Sequence, residues 1–157
     1  MGCLNTSTIK HSEQELRRAS EHPLFVTQLC YLIPNADRNL LSMILTTLKN
    51  YLLARYNNLE NPMPPHQKDF LRNNIFTIFY QIYPESAPIK IYKEIMHIII
   101  LVDYPWPAMA DLLHSDIQGS IVASVYFMRQ VAKANEYTTG EDRIIFEQFV
   151  SNYFPQL

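Results

Sequence analysis

An all-α fold is predicted by three features of the 157-residue sequence. Apolar residues recur with a helical period from residue 12 onward, no segment alternates with the period of a strand, and three glycines stand against ten prolines. Sandwiches and barrels need glycine for tight turns and bulges, so this ratio argues against an all-β fold. It also leaves no material for a Gly-rich phosphate loop.

The elements follow in order. Ser12 to Ser20 and Leu24 to Ile33 read as two short helices split by His22-Pro23. Leu40, Ile44, Leu48, Leu52 and Tyr56 recur every four positions beside Leu41 and Leu45, which makes an apolar stripe on one helix. Asn35 or Asp37 is placed to cap it. The Pro- and Asn-rich stretch from Asn57 to Pro65 must be a loop. From about Pro65 a helix carries Leu71, Ile75, Ile78, Phe79 and Ile82 on one side and Arg72, Asn73, Thr77 and Gln81 on the other.

Tyr83 to Pro88 stops that helix. Ile89 to Val102 is apolar nearly all round, as expected of an element sandwiched between neighbours. Asp103-Tyr104-Pro105 ends it, and Pro107 suits the first turn of a short helix. Ser115 or Asp116 is placed to cap a helix with Ile117, Ile121, Val125, Met128 and Ala132 in register. Thr138-Thr139-Gly140 precedes a last helix bearing Ile145, Phe149 and Tyr153.

About eight helices joined by short polar connections fit either a closed bundle or a ladder of hairpins. Hairpins recur at roughly 40 to 50 residues, the spacing of HEAT-type repeats. The expectation is an α-solenoid, an armadillo-type superhelix of about four HEAT-like hairpins over residues 12–157, after a flexible segment of residues 1–11.

Composition narrows function. A formal charge of −2 provides no broad basic face for nucleic acid. Two cysteines, Cys3 and Cys30, are too few for a disulfide scaffold or a four-cysteine zinc site, so an intracellular location is the default. The longest apolar run, Ile98 to Val102, is too short to span a bilayer, and Lys93, Glu94 and His97 interrupt its approach. Met1-Gly2-Cys3-Leu4-Asn5-Thr6 fits the myristoylation pattern, with Cys3 placed for a second acyl chain.

No nucleophile elbow, Walker loop or zinc-protease motif occurs, and the five histidines lack metal-ligand spacing. His97, within the most apolar helix, reads as a hydrogen-bonded core or interface residue, and Cys30 as a small core residue. Carboxylates at Glu13, Glu15 and Glu21 and at Glu136, Glu141, Asp142 and Glu147 are interleaved with Arg17, Arg18 and Arg143, which favours solvated helix faces. No catalytic residue, metal ligand or cofactor site is expected, and the chain reads as a binding protein.

Three stretches in order resemble the N-terminal region of importin-β-type nuclear transport receptors (karyopherins). Ser12-Glu13-Gln14-Glu15-Leu16, followed by Phe25, Leu29 and Ile33, is similar to the family's A-E-x-x-L and F-x-x-x-L helices. Leu48-Lys49-Asn50 is its L-K-N. Asp103-Tyr104-Pro105-Trp106-Pro107 resembles its D-Y-P-x-x-W-P, without the two residues between proline and tryptophan. Ala132 to Tyr137 and Phe154-Pro155-Gln156-Leu157 look most like the importin seven and eight branch.

The resemblance implies a chain that docks the GTP form of the small GTPase Ran, with Lys49 and Asn50 as candidate contacts on the inner face. It also implies that Asp103, Tyr104, Pro105, Trp106 and Pro107 form a repeat joint. Members of the family are several times longer, so cargo and nucleoporin sites are expected in repeats outside this chain. Location in cytoplasm and nucleus follows from the same resemblance. The rival expectation is a free-standing helical scaffold, membrane-anchored through acylated Gly2 and Cys3. Neither involves a transmembrane segment.

Overall fold

The computed structural model describes residues 6–83, 86–106, 109 and 121–153. Eight α-helices and no strand occur among them. Helix α1 spans Thr6–Ser20, α2 Phe25–Leu32 with a 3-10 turn at Ile33–Asn35, and α3 Arg38–Arg55. After the proline-rich loop come α4 at Pro65–Asn73, α5 at Ile75–Ile82 and α6 at Ser86–Asp103. Helices α7, Ile121–Ala134, and α8, Glu141–Tyr153, complete the described part. The boundary expected at residue 12 falls inside α1, which is already helical from Thr6.

Helix α3 starts where its sequence says it should, because Asp37 Oδ1 accepts from the Leu40 amide at 2.9 Å. Its stripe then buries Leu41, Ile44, Leu45, Leu48, Tyr51 and Leu52. Each such side chain contributes about 1.5–3 kcal/mol on leaving water. Between α7 and α8, Gly140 takes a left-handed φ of 68° that other residues adopt at a cost.

Three expectations need correction. The helix drawn from Pro65 through Ile82 is two helices, broken at Asn74 (φ −107°, ψ 9°). Asn74 Nδ2 donates to the Phe70 carbonyl at 2.8 Å and competes with the backbone for it. Helix α6 is not sandwiched all round: Tyr92, Ile95, Met96, Ile99 and Ile100 are buried, while His97, Leu101 and Val102 are exposed. In α7 the buried residues are Ser124, Phe127, Met128, Gln130 and Val131, so of the expected stripe Met128 is buried while Val125 and Ala132 are exposed, and the buried face is turned from the one expected. The Pro107 helix and the Ser115 or Asp116 cap lie outside the described residues, apart from buried Met109.

Specific contacts give the directions of the helices. Arg55, at the end of α3, donates through Nη1 to the Ser20 carbonyl at the end of α1, 3.1 Å away. Tyr56, which caps α3, donates its hydroxyl to Asp103, the last residue of α6. Helices α1, α3 and α6 therefore lie side by side, pointing the same way. Within a hairpin the sense reverses: Phe25, at the start of α2, packs with its ring tilted against Tyr51, late in α3, with centroids 5.0 Å apart.

The other layer repeats the arrangement. Gln67 Oε1 of α4 accepts from the Val26 amide at 3.0 Å, and His66 Nε2 lies 2.7 Å from the Pro23 carbonyl, so α2 and α4 also start together. Parallel helices within a layer and antiparallel partners within a hairpin make a HEAT-like helical-repeat fold.

Candidate docking face

Helices α3, α6 and α7 form one layer, and their solvent faces bound a cavity of about 490 Å³. Each helix contributes a stripe at helical spacing. Lys49 and Leu53 come from α3, and Lys93, Glu94, His97 and Ile98 from α6. Gln130 and Lys133 come from α7, followed by Glu136 and Tyr137 just beyond its end. The floor is aliphatic and the rim charged. One rim contact is an ion pair, Lys49 Nζ to Glu94 Oε2 at 3.1 Å.

Asn50 does not share this cavity. It lines a second groove, about 320 Å³, between α1 and α3, with Glu13, Leu16, Arg17 and Arg55 among its neighbours. The two consecutive polar residues of α3, about 100° apart around the helix, thus point to its two flanks. Lys49 looks toward α6 and Asn50 toward α1. Both lie on the α1–α3–α6 layer, Lys49 partly buried and Asn50 exposed.

His97 is exposed rather than a core residue, and it lines the larger cavity. Cys30 is buried, and burial pushes its thiol up to about 12, which leaves it unreactive as a nucleophile. The acidic clusters are solvated helix faces where described, with Arg18–Glu15 at 2.9 Å and Arg143–Glu147 at 2.8 Å. Among the described residues no group of three His, Cys, Asp or Glu side chains could hold a metal ion. No described helix is long and apolar enough to cross a membrane. Gly2 and Cys3 lie outside the described residues.

The segment after α6 makes contacts in several directions. Asp103 accepts from Tyr56 and, at 2.9 Å, from Arg72 Nη1, joining α6 to α3 and α4. Burial first, then the hydrogen bond and charge of Asp103, raise the Tyr56 phenol far above its ordinary range. Lys68 lies 4.5 Å above the Tyr56 ring. Tyr104 packs edge-on against Phe149 of α8, with ring centroids 5.3 Å apart. Pro105, joined to Tyr104 by a cis peptide bond, is exposed. Trp106 is buried edge-on against Phe127 of α7 at 5.7 Å. Pro107 lies outside the described residues.

Sequence reasoning missed two organising residues. Arg55 donates to Ser20 and to the Asn61 carbonyl and side chain, which fastens the loop after α3. Gln67, fully buried, caps α2 from a different helix. A polar residue in the first turn of α4 gives no sign of where its partner lies. Lys93 and Lys133 read in the sequence only as an interruption of an apolar run and as part of a resembling stretch, and neither reading gives them a place on a common cavity.

Residues 12–81 match the family model of the importin-beta N-terminal domain. The match covers somewhat under half of the chain and runs from within α1 through nearly all of α5. Over those residues the chain is similar to the importin-beta family. No curated protein and no solved structure matches the chain.

Proposed function

We propose that this chain is the Ran-docking N-terminal segment of an importin-like receptor, with residues 12–157 forming its first repeats. The family match over residues 12–81 carries this reading, because it includes Lys49 and Asn50 on α3. Those two side chains line adjoining grooves of one helical layer, so a folded partner laid across α3 would meet both. The role is non-catalytic. GTP-bound Ran would occupy the α1–α3–α6 face and lower the affinity for cargo held by further repeats, through the coupling that any two-site receptor obeys.

Tail residues Ala132 to Tyr137 favour the importin seven and eight branch, and such a receptor would shuttle between cytoplasm and nucleus. Cargo and nucleoporins would be engaged by repeats outside this chain.

The test is capture of purified Ran, loaded with GTP or GDP, by the immobilised chain. Capture of the GTP form in preference to the GDP form, weakened by Lys49→Glu, is the expected result. Capture indifferent to the nucleotide overturns the reading.

A further inference from the structure

We propose that the cavity between α3, α6 and α7 is a receptor site for a short acidic segment of a partner protein carrying one bulky apolar side chain. The inference goes beyond the GTPase reading and stands on the cavity's own chemistry. Its aliphatic floor, from Leu53 and Ile98, is open to solvent, with Leu53 66% exposed. Exposed aliphatic surface beside a concavity of this size is where an inserted side chain gains most.

The rim supplies the charge selection. Three lysines line the cavity against two glutamates. Glu94 is engaged by Lys49 at 3.1 Å, so Lys49 is largely neutralised. Lys93 and Lys133 form no ion pair among the described residues, and both are exposed. They come from α6 and α7, one on each neighbouring helix, with the apolar floor reached from between them. With Glu136 also on the rim, the three lysines exceed the two glutamates by one charge, which makes the rim locally cationic around its aliphatic residues in a chain of net charge −2. A partner side chain such as Phe or Leu would rest on Leu53 and Ile98, and flanking carboxylates would meet Lys93 and Lys133. A basic segment would meet uncompensated ammonium groups.

The probe is a fluorescein-labelled peptide in which one Phe is flanked on each side by Asp and Glu, read by anisotropy with the full chain. Weak saturable binding is expected, on the order of 10–100 μM for a site this small. The affinity should fall several-fold as salt rises through physiological strength. Lys93→Glu with Lys133→Glu should weaken binding about 10-fold or more, from two charge reversals. Leu53→Ser should weaken it while leaving the salt dependence in place. All three positions are exposed, and circular dichroism verifies that the variants fold.

Absence of binding overturns the proposal. So does equal binding of a Lys-flanked peptide or of one with Ala replacing Phe, or unchanged affinity in the Lys93 and Lys133 double variant. The outcomes separate from those of the GTPase test: peptide binding without nucleotide-dependent capture sinks only the Ran reading, and the reverse sinks only this one.

Discussion

Arg72 Nη1 lies 2.9 Å from Asp103 Oδ2, which ties the last turn of α4 to the final residue of α6. Tyr56 donates to the same carboxylate oxygen from the end of α3. One side chain thus joins three helices from two successive hairpins. Both charged partners are largely shielded, with side-chain exposures of 19% and 15%. Without the Asp103 charge Arg72 keeps only the exposed Asp69 as an ionic partner, and without Arg72 the Asp103 carboxylate keeps only the Tyr56 hydroxyl. Asp103→Asn should destabilise the chain by about 2 kcal/mol. In a double-mutant cycle with Arg72→Met, chemical denaturation should return a coupling of about 1–2 kcal/mol. Additive losses would show that the contact is incidental.

Trp106 is the sole tryptophan, so its fluorescence reports its own environment. It is 4% exposed and set edge-on to Phe127. Emission should be blue-shifted in the folded chain and move red in denaturant. Trp106→Ala should cost about 3–5 kcal/mol, and Trp106→Phe much less, because the ring volume is mostly kept. A solvent-like emission from the native chain would contradict the packing of the segment after α6.

Gln67→Leu removes the acceptor for the Val26 amide at the start of α2, where Leu24 offers no side-chain cap. A loss of about 1–2 kcal/mol is expected. Hydrogen exchange at Val26 should accelerate beyond what the global loss explains. Unchanged protection there would mean that another acceptor replaces Gln67.

Alkaline pH should weaken the fold. Burial raises the Cys30 thiol from 9.0 to about 12, and the Tyr56 phenol is raised from 10.0. Both groups hold their protons more tightly when folded, so their contribution is complete below the unfolded pKa and lost as pH rises above it. Stability should be flat up to pH ~8 and decline above pH ~9, by at most about 1.4 kcal/mol per pH unit for each group. Cys30→Ala should make the first part of that decline shallower. A slope unchanged in that variant would remove Cys30 as its cause.

Helices were legible wherever one apolar stripe met one buried face. The α3 stripe is the clear case, buried at Ile44, Leu48, Leu52 and Tyr56 although its first residue, Leu40, is exposed, and Asp37 capped it as its position suggested. Three features were hidden, each for a physical reason. Asn74 breaks a helix through its own side chain rather than through proline, a choice that propensity alone leaves open. In α7, Ser124 and Gln130 take buried positions, and polar letters there disguise the true register. His97 sits in an apolar run yet faces solvent, because α6 is covered on only part of its circumference. At the site, Lys49 and Asn50 stood out as polar residues inside an apolar helix. Their division between two grooves depends on which neighbours flank α3, and that is decided by packing between hairpins.

The central claim is that a GTP-loaded Ran-type GTPase docks across the α1–α3–α6 layer. Photo-crosslinking tests it directly, with a benzophenone side chain placed at Asn50, and separately at Gln81, an exposed position on α5 in the other layer. Adducts from position 50 with the GTP form, few with the GDP form and none from position 81 are predicted. Adducts formed only from position 81, or equally with both nucleotide forms, would contradict it.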